Sequence, residues 1–315
     1  MAVKTRAGLT TVRPVGPGSR IALIAPASHF DRDEFDRGVA ELQRIGLVPV
    51  FDENVFARDG FVAGSADRRA AEFLAGVNRD DVDAVMAVRG GYGSAELLPF
   101  LDVARLRTRR TAFVGYSDTT ALHTLLNCHV GVTSIHGAMI DGRLSRGEAA
   151  YDRRSFLDSL AASPLGELTA PGLEVLAAGE ASGPLFGGTL TQIAHSLGTP
   201  YAFAPPAGAI LFLEDVGERP YRIRRLLTHL EQAYVFRHIG GVVFGEFVRC
   251  DEPGLPGSAR AVLAAFAREV GKPCLFGFPS GHTEGPMLSL PFGVDARVVA
   301  DASRPRLIID EAAAC

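Results

Sequence analysis

Residues 111–126 read TAFVGYSDTTALHTLL and contain the strand-turn-helix pattern that decides the fold. The apolar run 111–114 is typical of a buried strand, and 119–126 has the pattern of a helix. Ser117 stands at the turn, where a side chain points out of the sheet edge and the free N–H groups of the first helical turn lie beside it. This is the geometry that a serine nucleophile needs, although Ser, Asp and Thr also begin ordinary helices.

The alternation of strand and helix patterns extends through the first half of the chain. Short apolar runs indicate strands at 21–25, 47–51 and 84–88, and apolar spacing indicates helices at 31–45 and 65–77. This order predicts an α/β domain whose parallel sheet has helices on both faces. Ligands of such sheets bind outside the carboxyl ends of the strands, where Ser117 would lie.

The second half of the chain first lacks this alternation of strand and helix patterns and then resumes it. Residues 143–178 are polar and punctuated by Pro and Gly, with one short helical piece at 156–160. We therefore predict an N-terminal domain at 1–145, an interdomain crossover at 146–180 and a C-terminal domain at 181–315. The C-terminal domain is expected to be smaller and mixed α/β, with helices at 189–197 and 220–232 and strands at 209–214, 241–244, 274–278, 297–300 and 307–309.

Composition excludes several classes of protein. With 315 residues, 47% hydrophobic and 22% charged, the chain is expected to fold as two globular domains. A net charge of −4 gives no general attraction for nucleic acid. The four cysteines have neither paired nor metal-ligand spacing, and no apolar run reaches the roughly 20 residues of a membrane helix. The N-terminus also lacks a secretory apolar run, so we expect a cytoplasmic protein without membrane partner, cofactor or metal.

A serine hydroxyl needs a base, and the base usually needs a carboxylate to orient it. His282 follows the strand 274–278 in a glycine-rich loop and is a candidate base, or else an exposed loop histidine. His136, which follows another strand near the turn, is the alternative base or a substrate contact. Glu214 ends an apolar strand, where a carboxylate is costly unless a partner meets it, and is the candidate acid.

The glycine-rich segment 89–93, RGGYG, also follows a strand. Its glycines allow a main chain to approach a substrate closely, so its amides could stabilise an oxyanion. It lacks both common nucleotide-binding glycine patterns, and a simple tight turn is the alternative interpretation.

These motifs together resemble the LD-carboxypeptidase family in content and order. The similar segments are 115–122, 89–93, 213–215 and 281–282. That family includes murein tetrapeptide carboxypeptidases and microcin C self-immunity peptidases. The resemblance implies a Rossmann-like N-terminal domain with a parallel sheet, a smaller β-rich C-terminal domain, an active site between them and a homodimer.

By this resemblance Ser117 is the nucleophile, His282 the general base and Glu214 its orienting acid. The amides of Gly91 and Asp118 form the oxyanion hole of a metal-free serine peptidase. A carboxypeptidase also needs a cation for the terminal carboxylate of its substrate. The candidate substrate contacts are Arg89, Tyr92, His136, Thr189 and Arg219.

Three functions remain open from the sequence. The first is removal of the terminal D-Ala from cytoplasmic murein tetrapeptides across an L,D amide bond, in cell-wall recycling. The second is immunity-type cleavage of peptidyl or aminoacyl nucleotides; such relatives often stack the nucleobase on Trp, and this chain has none. The third is a non-catalytic binder of small peptides, in which Ser117 only caps its helix. An α/β-hydrolase is less favoured because Thr119 stands where that elbow has its second glycine.

Overall fold

A computed structural model describes residues 3–315 of the chain. Its strands are β1 (Arg20–Ile24), β2 (Val48–Val50), β3 (Ala84–Ala87), β4 (Ala112–Gly115), β5 (Ser134–His136), β6 (Gly166–Leu168), β7 (Glu174–Ala177), β8 (Gly179–Thr189), β9 (Ile210–Glu214), β10 (Gly241–Gly245), β11 (Cys274–Phe278), β12 (Leu290–Phe292), β13 (Asp295–Ala300) and β14 (Arg306–Ile309). Its α-helices are α1 (Arg32–Arg44), α2 (Ala66–Asn78), α3 (Val103–Leu106), α4 (Thr120–Thr124), α5 (Arg153–Leu160), α6 (Leu190–Ser196), α7 (Pro220–Gln232) and α8 (Ser258–Val270).

The N-terminal sheet has six strands in the order β12-β5-β4-β3-β1-β2. The strands β1 to β5 run parallel, whereas β12 pairs antiparallel with β5 at one edge. The strand β4 is buried throughout, as its apolar sequence predicts, and it ends at Gly115, two residues before Ser117. This sheet therefore confirms the expected parallel α/β domain and places the serine at a carboxyl strand end.

The C-terminal sheet has eight strands in the order β6-β14-β13-β8-β9-β10-β11-β7. Its central strands β8 to β11 run parallel, and the remaining strands extend both edges antiparallel. The buried strand β9 ends at Glu214. The mixed, β-rich second half is thus confirmed, and its acid lies at the carboxyl end of a central strand.

The helix expected at 119–126 is more irregular than its sequence predicts. It begins as a 3-10 turn, Ser117–Thr119, continues as α4 and then widens into a π-helical stretch, Leu125–Val130. Gly131, at φ 80°, ends it. A side chain bonds across this end, because Asn127 donates to the carbonyl of Val132.

The segment 146–180, predicted as an interdomain crossover, contains more secondary structure than the one helix expected there. Besides α5 it contains β6 and β7, which pair with β14 and β11 at the edges of the C-terminal sheet. Both are short and only partly buried, so they lack the apolar runs that identify strands. The long strand β8 was also missed, because its glycines indicate a loop. A Cβ at Gly187 would lie 1.9 Å from the carbonyl oxygen of Phe212, so close packing requires that glycine.

The two halves share one of three buried apolar clusters in the described part of the chain. A single buried cluster joins Leu23 and Val114 of the first sheet to Phe212 and Val298 of the second. The strand β12 comes from the second half of the sequence but completes the first sheet. Among the helices of residues 3–315, none is both long and apolar enough to cross a membrane.

Candidate active site

Ser117 adopts a backbone conformation that serine rarely takes. Its φ is 65°, in the left-handed region, and its side chain is partly open to solvent. The turn is tight, since the Thr119 hydroxyl donates to the carbonyl of Tyr116 at 2.9 Å. A Cβ at Gly115 would lie 2.5 Å from that hydroxyl, which explains the glycine. Strained residues of this kind persist where the surrounding fold imposes them, and they concentrate at functional sites.

The glycine loop 89–93 packs directly against this turn. A Cβ at Gly90 would lie 3.2 Å from Ser117 Oγ and 3.3 Å from the amide nitrogen of Asp118. The amides of Gly91 and Asp118 donate no hydrogen bond within residues 3–315. Two amides without partners, in segments that pack against each other at the serine, are suited to hold an oxyanion.

The Asp118 carboxylate fastens the turn to the glycine loop. Its Oδ2 accepts hydrogen bonds from the amide of Ser94 at 2.8 Å and from the Ser94 hydroxyl at 2.5 Å. From the other half of the chain, Gln192 donates to Oδ1 at 3.3 Å. Burial raises the pKa of Asp118, although the bonds from Ser94 oppose that change. The side chain of Asp118 thus fixes the backbone whose amide faces the serine.

Glu214 holds the imidazole of His282. The carboxylate is fully buried, and its Oε2 lies 2.8 Å from His282 Nδ1 and accepts from the His282 amide at 3.0 Å. The Thr189 hydroxyl donates to Oε1 at 2.5 Å. With Nδ1 donating to the carboxylate, Nε2 is the nitrogen that can accept a proton.

Each charge of this pair changes the ionisation of the other. Burial disfavours both charged forms, but the attraction and hydrogen bond between them outweigh it. The pKa of Glu214 is therefore lowered, and the pKa of His282 is raised above its ordinary 6.5. The arrangement stabilises the imidazolium that forms when His282 accepts a proton.

Glycines make room for the buried carboxylate. A Cβ at Gly281 would lie 2.6 Å from Glu214 Cδ, and one at Gly245 would lie 2.6 Å from Glu214 Cβ. The glycine before His282 therefore lets that loop close over the acid. This is the physical reason for the glycine-rich sequence noted there.

The turn that carries Ser117 follows a strand of the first sheet, the loop that carries His282 follows a strand of the second, and the two come close to each other. The ring of Tyr116, next to Ser117, lies 5.3 Å from the ring of His282. No hydrogen bond joins Ser117 to His282 in the part of the chain that the structure describes. Such bonds often tighten only when substrate binds.

Arg143 is a residue of this site that sequence reasoning missed. Its buried guanidinium donates to the carbonyls of Gly281 at 2.8 Å and Thr283 at 3.2 Å, on either side of His282. It also donates to the carbonyls of Ala150 and Gly285. Arg143 therefore shapes the loop that carries the histidine. Backbone carbonyls have no sequence signal, so only the position of Arg143 in the fold identifies it.

Asp215 is a second buried acid beside the first. Its Oδ2 accepts from the amide and hydroxyl of Thr191, at 2.9 and 2.7 Å. Burial, and then the charge of Glu214, raises the pKa of Asp215 to about 6. These contacts connect the end of β9 to the start of α6.

The expected substrate contacts separate into two groups. His136 and Thr189 are buried, so neither presents a surface to a substrate in this structure. His136 is enclosed by the rings of Tyr116, Phe212 and Phe292. Thr189 instead bonds the acid.

Arg89, Tyr92 and Arg219 remain accessible. Arg89 lies 3.4 Å from Asp141, and Arg219 lies 2.8 Å from Glu252. The Arg219–Glu252 pair is exposed on both sides and would exchange for a substrate carboxylate at small cost. Asp141, in contrast, is largely buried, and only Arg89 of its pair is exposed. Residues 3–315 contain no group of three or more His, Cys, Asp or Glu side chains placed to hold a metal ion.

The fold is that of a two-domain α/β protein, and its candidate site combines a serine on a tight turn with a histidine held by a buried glutamate. The sequence profile of the LD-carboxypeptidase N-terminal domain matches residues 21–137, and that of the C-terminal domain matches residues 182–298. The chain belongs to the LD-carboxypeptidase family.

Individual relatives agree with this membership. The murein tetrapeptide carboxypeptidase of Pseudomonas aeruginosa is 34% identical over 270 residues, which cover 84% of this chain and 88% of the relative. The crystal structure of muramoyltetrapeptide carboxypeptidase from Oxalobacter formigenes is 29% identical, with a TM-score of 0.81 over 93% of this chain and 99% of that one. Microcin C7 self-immunity protein in complex with aspartyl sulfamoyl adenosine is 25% identical, with a TM-score of 0.89 over 97% and 99%.

Proposed function

We propose that this chain is a serine carboxypeptidase that releases the terminal D-Ala of murein tetrapeptides in the cytoplasm. The observation that carries the proposal is the Glu214–His282 pair, 2.8 Å apart, beside a left-handed Ser117. The similarity to a murein tetrapeptide carboxypeptidase supports the choice of substrate.

The first half of the reaction forms an ester. Ser117 Oγ attacks the carbonyl carbon of the terminal amide while His282 Nε2 takes the hydroxyl proton. The amides of Gly91 and Asp118 donate to the oxyanion of the tetrahedral intermediate. His282 then returns the proton to the leaving amine, and free alanine departs.

The second half restores the serine. His282 takes a proton from a water molecule, whose oxygen attacks the ester carbonyl carbon. Collapse of the second tetrahedral intermediate gives the proton back to Ser117 Oγ and releases the tripeptide acid. Glu214 keeps its charge throughout and stabilises each imidazolium.

A cation must hold the terminal carboxylate of the substrate. Arg89 and Arg219 are the proposed residues, because both guanidiniums are accessible and can bind a carboxylate bidentately. Arg89 is the first residue of the glycine loop and is therefore the nearer of the two to the oxyanion amides in sequence.

The stereochemistry of the leaving residue tests the proposal. Purified enzyme is given two tetrapeptides, L-Ala-γ-D-Glu-meso-diaminopimelate followed by D-Ala or by L-Ala, and free alanine is measured. We expect release from the D-Ala peptide and at least tenfold less from the L-Ala peptide. Equal release from both, or none from either, would contradict the proposed substrate.

The immunity-type reaction is the second candidate. Its support is the structural similarity to a microcin C7 self-immunity protein solved with aspartyl sulfamoyl adenosine. Incubation of that compound with the enzyme, followed by chromatography for free aspartate, compares it with the tetrapeptide. Faster turnover of the nucleoside would replace the murein assignment.

A non-catalytic peptide binder is the remaining alternative. It requires Ser117 to be inert, which a fluorophosphonate probe would show. The proposal also includes the homodimer expected from the family, which analytical ultracentrifugation would detect.

A further inference from the structure

Two large aromatic side chains lie exposed and in contact next to the glycine loop. Phe61 is 66% exposed and Tyr92 is 51% exposed. Their ring centroids are 5.2 Å apart and their planes meet at 73°. The two rings, which we call the aromatic corner, form an L-shaped apolar surface toward solvent. Exposed contiguous aromatic surface of this kind marks binding sites more often than chance.

The backbone beneath the aromatic corner is held by Ser28. The Tyr92 amide donates to Ser28 Oγ at 3.1 Å, and the Ser28 amide donates to the carbonyl of Gly90 at 3.2 Å. On the other side, Ser28 forms an antiparallel bridge with Val62, the neighbour of Phe61. Both rings therefore stand on segments bonded to the same residue.

A fully buried arginine supports the same segments from inside. Arg69, 1% exposed, donates to the carbonyls of Gly64, Pro26 and Gly93, each at 2.8 Å. It also donates to Glu96 at 2.5 Å, and that carboxylate in turn raises the pKa of the Tyr92 hydroxyl. A corner held in this way loses little conformational entropy when a ligand binds.

The aromatic corner lies within reach of the reacting bond. Gly90 packs on Ser117, and Tyr92 is two residues further along, at most about 7.6 Å between Cα atoms. In a muramyl tetrapeptide, L-Ala, γ-linked D-Glu and diaminopimelate separate the scissile carbonyl from the sugar, which is more than roughly 10 Å of extended chain. The sugar can therefore reach the aromatic corner while the scissile carbonyl lies at the nucleophile.

We propose that the aromatic corner of Phe61 and Tyr92 is a subsite for the sugar ring of muramyl peptides. The inference rests on the murein function proposed above and adds to it the residues that recognise the carbohydrate. A pyranose presents C–H groups on its face, and the negative face of an aromatic ring attracts them. One ring contacts that face, and the second, nearly perpendicular, borders the edge of the sugar.

A nucleobase and a second copy of this chain are less suitable occupants. A flat base stacks on one ring face and leaves the perpendicular ring unused. The core of a protein interface buries aromatic residues within a large apolar patch. Arg89, three residues before Tyr92, is exposed and charged, so the aromatic corner is not surrounded by such a patch. These two occupants are separate outcomes of the test.

The test compares kcat/KM for the free tetrapeptide and for its N-acetylmuramyl form. The enzymes are wild type, Phe61→Ala, Tyr92→Ala and the control Tyr234→Ala, which removes a 71% exposed tyrosine from the end of α7. We expect wild type to prefer the muramyl substrate about tenfold, a change typical of one aromatic contact. Each corner variant should lose about tenfold more on the muramyl substrate than on the free peptide, and Tyr234→Ala should keep the preference.

Calorimetry separates this inference from the proposed function. Muramyl tetrapeptide is titrated into Ser117→Ala and into Ser117→Ala/Tyr92→Ala, so that binding is measured without turnover. Weaker binding to the double variant, at least fivefold, supports the subsite even if wild type releases no alanine. Equal binding, equal losses on both substrates, or tighter binding of aspartyl sulfamoyl adenosine than of the muramyl peptide would overturn it. Conversion of a dimer to a monomer by Phe61→Ala would assign the corner to a protein interface instead.

Discussion

At the scale of single residues, the candidate site combines one strained residue with one coupled pair. Ser117 is held at φ 65°, and Glu214 is fully buried against His282. Neither feature would persist without compensation, because a left-handed serine and a buried carboxylate each cost free energy. The hydrogen bonds of Thr119, Thr189 and His282 compensate them.

The raised pKa of His282 predicts the pH profile. The base works only as neutral imidazole, so kcat/KM should fall as the pH drops through this pKa, above 6.5. In Glu214→Gln the charge that raises the pKa is gone, so the acid limb should move to lower pH while kcat falls about 10⁴-fold. Rates measured from pH 5 to 9 check both. If the acid limb of the pH profile stays in place in Glu214→Gln, the charge of Glu214 does not raise the pKa of His282.

Arg143 should matter through the loop that it shapes. In Arg143→Met, four carbonyls lose the hydrogen bond from Arg143, and the displaced His282 should lower kcat about 10²-fold with a small change in KM. The Arg143 charge lowers the pKa of His282, so its loss should move the acid limb upward. Arg143→Lys keeps the charge and should leave the limb in place, and the exposed Arg146→Met is the control. A purely structural arginine would reduce stability in Arg143→Met without moving the limb.

Sequence reasoning found residues at strand ends and missed those defined by packing. Ser117, Glu214 and His282 each follow an apolar run, so their positions at the sheet edges follow from the pattern. His136 follows a strand as well, but the second sheet covers it, and no local pattern shows which strand end will be covered. Contacts between distant segments decided that difference.

At the scale of elements, the site depends on the close contact between the glycine loop and the turn that carries Ser117. Short, half-buried strands such as β6 and β7 were not predictable from the sequence, since their pairing is decided by the edges of a sheet formed elsewhere. The glycines of the loop predict that its main chain approaches another part of the molecule closely, and the structure shows that this part is the turn that carries Ser117. A Cβ at Gly90 reaches within 3.3 Å of the Asp118 amide.

Gly90→Ala should therefore disable the oxyanion site selectively. The methyl group would crowd Ser117 Oγ and the space that the oxyanion needs, so kcat should fall about 10²- to 10³-fold. Thermal unfolding should change little, because the loop can shift by a few tenths of an ångström. Gly16→Ala, where a Cβ meets nothing within 4 Å, is the matched control. Full activity in Gly90→Ala would show that this loop does not border the reacting carbonyl.

At the scale of the whole molecule, the two halves form one structural unit. The strand β12 lies in the first sheet, and one buried cluster includes Leu23 and Phe212. The fold class followed from the alternation of patterns, whereas this exchange of a strand did not. A three-residue strand gives no periodicity from which its partner sheet could be inferred.

The shared core predicts cooperative unfolding. Differential scanning calorimetry should show one transition for the full chain, since unfolding either half would expose the cluster that the two halves share. Cutting the polypeptide between residues 180 and 181 and separating the halves should leave both without a fixed structure. Two well-separated transitions, or a folded isolated fragment 1–145, would contradict a common core.

The central claim is that the Ser117 hydroxyl attacks the substrate, and one comparison tests it most directly. Wild type and Ser117→Ala are incubated with the murein tetrapeptide while D-Ala release is followed. Both proteins are also treated with a fluorophosphonate, and their intact masses are measured by mass spectrometry. Wild type should release D-Ala and gain one adduct, whereas Ser117→Ala should gain none and turn over about 10⁴- to 10⁶-fold more slowly. Equal D-Ala release by the two proteins would contradict the account.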